Sequence, residues 1–468
     1  MAFSTIEFLF QFLPIFLLAY YITPAKYRNI ILILGSFIFY AIGSGWYLIL
    51  LIFSVFVNYI LSRLLRTEEY FAQRRNQAIL VIGLIFDFGL LVIFKYTNFI
   101  LENLNALLSH ISIAIPEPSL TMPLGISFFT FQITSYLIDV YTKKTRPANS
   151  ILELGIYICM FPNLISGPIA TFGEMRPQFL YRTVNVQVLE EGIRLFVIGL
   201  SAKTLLADPM SGLWNNLSVI GYDYVSTPYA WLGAVAYSFE IYFDFSSYSM
   251  MAIGIGMMLG FELPQNFNLP YCSDSVGEFW RRWHMTLGRW FRNYIYIPLG
   301  GNRHGTLKTI RNLLAVWVFT GLWHGASWNY ILWGMIFFVL QLGERFIYGK
   351  KLEKTHVLKH IYMILIIPLT WIVFAITDLS QLGQYFLRLF PFLTDSSVRQ
   401  NYSDFTLALN NYWKILIPCF LFSTPLPLHF YKKYRKSVIC LIILVVLFIY
   451  SIKVMMESTN NPFLYFQF

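Results

Sequence analysis

Charge is what this sequence has least of. Only 12% of its 468 residues are Asp, Glu, Lys or Arg, against about 25% in a soluble domain, while 57% are hydrophobic. A compact aqueous fold of this length cannot hide that much apolar surface, which excludes a soluble enzyme and a disordered tail protein. Cysteine is scarce as well: Cys159, Cys272, Cys419 and Cys440 are irregularly spaced, so no disulfide framework and no metal-ligand spacing is expected. Three of them sit in apolar stretches, where a thiol packs as a small hydrophobe. The chain also lacks a Walker-type phosphate loop, a GxSxG elbow and a Rossmann fingerprint. If it is an enzyme, it handles a group that arrives already activated.

What the sequence has is aromatic and apolar length. Its 44 Phe, 31 Tyr and 12 Trp suit a chain that meets lipid headgroups. Stretches near 6–22, 29–42, 46–62, 78–101, 121–141, 186–207, 228–250, 307–325, 327–343, 361–377, 412–430 and 437–456 approach the roughly 20 apolar residues a crossing needs. The expected fold is therefore all-α and polytopic, with about 11–12 spans plus re-entrant or interfacial helices. No positive n-region or cleavage site precedes Lys26, so the first stretch reads as a retained span. The segment 151–171 is interrupted by Phe161-Pro162-Asn163 and Ser166-Gly167-Pro168. Irregular backbone at membrane depth is tolerated only against protein or water, so 161–168 points to an internal cavity.

The formal net charge of +10 falls in short bursts between apolar runs, which fits cytoplasmic loops rather than nucleic acid. Lys26/Arg28, Arg63/Arg66/Arg74/Arg75, Lys143/Lys144/Arg146, 281–311, Lys350/Lys351/Lys354 and Lys432/Lys433/Arg435/Lys436 share one side if both termini lie outside. No loop is long enough for a separate soluble domain. Residues 1–468 read as a single membrane-embedded domain, with its chemistry within about 121–345.

Between Gln265 and Arg311 the sequence is too polar to span and too aromatic to float in water. On a helix of about 100° per residue, Glu278, Arg281, Arg282, Arg289 and Arg292 share one face of 278–292, with Trp280, His284, Leu287 and Phe291 opposite. This reads as an interfacial helix. Its arginines serve either as an anchor on anionic lipid or as a phosphate-binding collar for a coenzyme or phosphopantetheine arm, since forked guanidinium donors suit phosphate. His324, in TGLWHGASWNYILWG, is an intramembrane histidine and so a functional candidate. Gly321 and Gly325 beside it admit a close neighbour, whether chain or substrate, and Trp323, Trp328 and Trp333 are candidate walls. A structural histidine with both nitrogens satisfied is the plain alternative. Glu240 and Asp244, at i and i+4, need partners at membrane depth. Arg or His side chains of 281–292 are the expected ones, and structural pairing is favoured over catalysis.

The stretches PLGISFFTFQITSYLIDVY, NLISGPI, IYFDFSSYSMMAIGIGMMLGF, PQNFNLPY, EFWRRWHMTLGRWFRNYIYIPLGGNR, GLWHGASWNYILWG and NPFLYFQF together resemble the membrane-bound O-acyltransferase (MBOAT) superfamily, above all its bacterial AlgI-like branch. The resemblance implies helices ringing a central funnel where a cytoplasmic acyl thioester meets an outside acceptor. It also implies two functional histidines, falling on His284 and His324. Relatives of this kind O-acetylate polysaccharide or peptidoglycan or D-alanylate teichoic acid, and the IPLGGNR continuation favours acetylation.

The resulting expectation is acetyl transfer in a bacterial cell membrane from a thioester substrate, acetyl-CoA or an acyl carrier, to a polymer hydroxyl outside. No bound cofactor and no metal are expected. His324 is the candidate general base, near neutral pH a role suited to imidazole. His284 orients the thioester or polarises its carbonyl, Arg281, Arg282, Arg289 and Arg292 bind the donor, and Trp323, Asn329, Asp244 and Glu240 support the funnel. By resemblance, an extracytoplasmic SGNH-type acyltransferase is the partner. A non-catalytic transporter of an acyl or sugar precursor is the rival reading.

Overall fold

Long apolar runs that must satisfy their own backbone hydrogen bonds in lipid become helices, and helices are all the chain forms among its described residues. The computed structural model describes residues 2–65, 73–393, 403–457 and 463–464; Arg66 and all of the terminal NPFLYFQF stretch except Phe463 and Leu464 lie outside them. Six helices are long and apolar enough to cross a membrane, Ala25–Ser44, Tyr47–Leu64, Gln73–Lys95, Trp328–Glu353, Leu358–Ala375 and Val438–Glu457. The remaining expected spans fall on helices that are shorter or carry more polar residues, except that 412–430 is divided at Ser423 and Thr424 between Ser403–Phe422 and Pro425–Tyr434. The molecule is an all-α, multi-pass membrane protein.

The chain divides into two compact units, one within Met1–Phe196 and Met251–Pro264, the other within Val197–Met250 and Gln265–Leu464. In the first unit the helices are α1 (Leu13–Ile22), α2 (Arg28–Ser44), α3 (Tyr47–Leu64), α4 (Gln73–Lys95), α5 (Thr97–Leu108), α6 (Ile126–Tyr141), α7 (Ile151–Cys159), α8 (Phe161–Leu164) and α9 (Phe172–Leu180), with most of α10 (Val186–Ala202). Their core is aromatic: the Phe161 ring lies 5.2 Å from Phe16, 5.5 Å from Phe12 and 5.3 Å from Phe39. The interrupted segment 161–168 is buried against protein. Its Phe161 N–H donates to Ser36 Oγ at 3.1 Å, and a Cβ on Gly125, whose φ is +74°, would meet Leu164 O at 2.5 Å. A capping box of Thr171 and Glu174 starts α9 by pairing otherwise orphaned backbone donors.

The second unit contains α11 (Asp208–Ile220), most of α12 (Thr227–Met258), α13 (Val276–Arg282), α14 (Met285–Phe291), α15 (Thr306–His324), α16 (Trp328–Gly343), α17 (Gly349–Glu353), α18 (Leu358–Ala375), α19 (Leu379–Leu389), α20 (Ser403–Phe422), α21 (Pro425–Tyr434) and α22 (Val438–Glu457). Helices α15 and α16 form a tight hairpin because two glycines let backbone meet backbone. A Cβ on Gly321 would sit 2.5 Å from Tyr330 O, and one on Gly334 would sit 2.5 Å from Trp317 O. Small residues at such crossings permit close approach where lipid offers no hydrophobic drive between helices.

Gly321→Val is therefore expected to force α15 from α16 and lower the thermal stability of the purified protein, by about 1–3 kcal/mol as for other overpacked sites. Gly383, around which nothing lies within 4 Å, is the control: Gly383→Ala should leave the melting temperature unchanged or raise it slightly. Equal melting temperatures for both variants would contradict the close-packing account.

Candidate active site

The segment expected to form one helix over 278–292 is broken. Helix α13 ends at Arg282, Trp283 is extended, and His284 adopts φ +43° and ψ +52° before α14 begins. A left-handed histidine is uncommon and costs free energy, so the break must be held from outside. Two backbone hydrogen bonds hold it: Asn268 N–H donates to Arg282 O at 2.9 Å and Met285 N–H to Asn266 O at 2.9 Å. The other end of α13 is fixed as firmly. Ser275 caps it, and Glu344 accepts from the N–H groups of Val276 at 2.6 Å and Gly277 at 3.0 Å.

The break changes the expected helical face. Arg281 and Arg292 are exposed, Arg282 is half-buried and paired with Glu278, and Arg289 is half-buried. The aromatic side does more than lie on a surface. Trp280 reaches Trp317 and Phe337 at 5.0 Å each, and Trp283 reaches Trp371 at 4.8 Å, so the segment is packed against α15, α16 and α18. His284 is buried, its ring 4.6 Å from Phe245 and 6.0 Å from Trp323.

Asn266 faces the other side of that imidazole. Its Oδ1 lies 3.1 Å from His284 Nδ1 and accepts from Thr286 Oγ1 at 2.9 Å and Thr286 N–H at 3.3 Å, while its Nδ2 donates to Ser249 Oγ at 3.1 Å. Burial pushes the His284 imidazole down to about 3, so the ring is neutral at physiological pH.

His324 closes α15, a 19-residue helix that rises about 28 Å. The imidazole is buried among Trp323 at 4.9 Å, Trp333 at 5.0 Å and Phe374 at 5.1 Å. Trp323 thus neighbours both histidines. Asn329, fully buried, donates to Val373 O and Phe374 O at 3.2 and 3.0 Å, which ties α16 to the last turn of α18 and holds Phe374 against His324. The space released by Gly321 and Gly325 is taken by the chain itself: Cβ atoms there would meet Tyr330, 2.5 Å from its carbonyl oxygen and 2.1 Å from its ring. Trp328, expected as a wall, is 53% exposed.

Asp244 and Glu240 do not pair with the 281–292 segment. Lys203, which no sequence motif singles out, reaches Asp244 at 2.6 Å and Asp208 at 2.7 Å. It stands at the start of a π-helical turn, Lys203–Ala207, that joins α10 to α11, and such turns redirect side chains within a helix. Leu464 N–H donates to the other oxygen of Asp244 at 2.8 Å, and Glu240 lies buried one turn earlier on the same helix. The Asp244 contacts brace α12, whose Phe245 touches His284.

A family model for the membrane-bound O-acyltransferases matches residues 140–350, a range that includes both histidines. A "Probable alginate O-acetylase AlgI" of Azotobacter vinelandii is 37% identical over 402 residues, 84% of this chain and 78% of the relative. The chain belongs to the membrane-bound O-acyltransferase family. It is an acyltransferase. Within the family, a peptidoglycan O-acetyltransferase of Helicobacter pylori is 38% identical over 71% of this chain and 68% of its own length. A teichoic acid D-alanyltransferase of Bacillus subtilis is 29% identical over 50% and 61%.

Removing one member of a buried ion pair strands the other, at a cost of about 3–5 kcal/mol. Lys203→Met should destabilise the acyltransferase by that order, and adding Asp244→Asn should recover part of the loss. Additive destabilisation in a thermal-unfolding double-mutant cycle would show that the two groups are not coupled.

Proposed function

We propose that this acyltransferase moves an acetyl group from a cytoplasmic thioester, acetyl-CoA or an acyl carrier, to a hydroxyl presented outside a bacterial inner membrane. The observation that carries the reading is the pair of buried histidines, His324 and His284, with Trp323 as their common neighbour. Relatives named O-acetylase and O-acetyltransferase match more of the chain, at higher identity, than those named D-alanyltransferase, which supports acetyl over D-alanyl. The family membership also weighs against a transporter.

In the proposed reaction the acceptor oxygen attacks the thioester carbonyl while His324 takes the hydroxyl proton. The C–S bond then breaks, the acyl group stays on the acceptor, and the thiolate leaves and recovers a proton. Buried aromatic walls exclude water, which would otherwise hydrolyse the thioester. The exposed guanidinium groups of Arg281 and Arg292, with Arg282 and Arg289, meet the anionic part of the donor on the cytoplasmic side. With both termini outside, the His324 end of α15 faces the acceptor. An extracytoplasmic SGNH-type protein passes the group onward to the polymer, since the loops on that side are too short to grip a long chain.

His324→Ala should lower acyl transfer by about 100- to 10,000-fold, the usual worth of a general base, with normal yield and elution. Substantial activity in a well-folded variant would remove the base assignment. Replacing Arg281, Arg282, Arg289 and Arg292 by Gln should raise the apparent KM for the donor and flatten its salt dependence, because phosphate contacts are screened by added ions. A variant with unaltered donor KM but poor membrane insertion would instead favour lipid anchoring. For the partner, liposomes carrying donor inside and polymer outside should acetylate the polymer only when the SGNH-type protein is added; full activity of the chain alone would overturn that requirement.

A further inference from the structure

We propose that Asn266 is a positioning residue that fixes His284 as its Nδ1–H tautomer, so that the ring offers an unprotonated Nε2 to the substrates. The orientation of the Asn266 amide is set by its neighbours. The backbone N–H of Thr286 can only donate, so the amide atom it meets at 3.3 Å is the oxygen. The Thr286 hydroxyl donates to that oxygen as well, at 2.9 Å, and the amide nitrogen is used on Ser249 Oγ. A flipped amide would set an NH2 group against the Thr286 N–H.

The same oxygen lies 3.1 Å from His284 Nδ1, and an acceptor opposite a ring nitrogen calls for a proton on that nitrogen. Because burial keeps the imidazole neutral, the ring carries one proton, and Asn266 holds it. His284 then has no N–H to spare for a thioester carbonyl. Of the two roles expected of it, polarising the carbonyl is excluded and orienting by acceptance remains: Nε2 meets an N–H or O–H of a substrate, either an amide of the thioester arm or the acceptor hydroxyl. This use of the nitrogen rests on the acyl-transfer reading. The tautomer does not.

The direct test is nitrogen NMR of the full-length protein labelled with 15N-histidine, reconstituted in lipid at neutral pH without substrate, with His284 signals assigned by subtraction of a His284→Gln spectrum. A protonated Nδ1 and an unprotonated Nε2 are expected; the reverse tautomer overturns the proposal whatever the enzyme turns over. Kinetics read its consequence. Asn266→Leu, which removes the acceptor, should lower kcat by about tenfold or more, as when a histidine loses its orienting partner. A rise in KM for the thioester alone assigns the arm as the group meeting Nε2, and a rise for the acceptor alone assigns the hydroxyl.

Asn266→Asp keeps an acceptor for Nδ1–H but adds a negative charge, which raises the imidazole pKa. The groups facing the ring are Phe245 from α12, Asn266, Thr286 from α14 and, from α15, Trp323 with His324 beyond it. Since the active form is neutral, activity is lost as pH falls through that pKa. The variant should therefore gain an acid limb closer to neutrality than the wild type. Unshifted profiles with full activity in both Asn266 variants would contradict a positioning role.

Discussion

A helix broken where its side chains are buried leaves carbonyl and N–H groups that need new partners, and the candidate site depends on how this chain meets them. The break at Trp283 and His284 frees Arg282 O and Met285 N–H, and the preceding segment supplies Asn268 N–H and Asn266 O to both. Segment 266–268 thus acts as a short backbone splint. The same residue that contributes its carbonyl to the splint, Asn266, uses its side chain on His284. The element that pays for the irregular backbone is therefore the one that orients the imidazole.

His324 is held in a different way. It needs no break and no left-handed backbone, because it is the last residue of a regular helix and its walls come from side chains packed in three directions. The glycine contacts of α15 with α16, and the Asn329 link from α16 to α18, bring Trp333 and Phe374 to it. The imidazoles of His284 and His324 are thus positioned by separate devices, a backbone splint and a helical hairpin. Trp323 is the neighbour they share.

Much of this is legible in the order of residues alone. Apolar length dictates the helices, because in lipid a run of that length has no other way to satisfy its backbone within one segment. The Gly-Leu-Trp-His-Gly spacing points to His324 with Trp323 beside it. What stays hidden is tertiary. Neither Trp283 nor His284 is a helix breaker by propensity, so a helical wheel runs straight through them; the break is imposed by Asn266 and Asn268, whose amide-rich PQNFN run is the available signal. Trp328 reads as a wall by proximity in sequence, yet the extended Ser327 sets α16 off so that its first residue is exposed. Lys203 is the most recoverable of the residues that the motifs leave unmarked: two carboxylates one turn apart in an apolar span call for a cation, and a lone lysine in another apolar run is its natural source.

The buried charges also explain a division of labour along α12. Lys203, Asp208 and Asp244 together cost desolvation that their attraction only roughly offsets, so stability alone is a weak reason to keep them. Their geometry offers a better one. Asp244 is anchored through both oxygens, by Lys203 on one and by Leu464 N–H on the other, and the next residue, Phe245, packs edge-on against His284. Five residues beyond Asp244, Ser249 accepts from the Asn266 amide. A hydrophobic replacement of the ion pair could fill the same volume, but it would leave the rotation and height of α12 to nonspecific packing. Directional charge-assisted bonds constrain both, and the same helix carries Phe245, which meets the His284 ring, and Ser249, which accepts from Asn266.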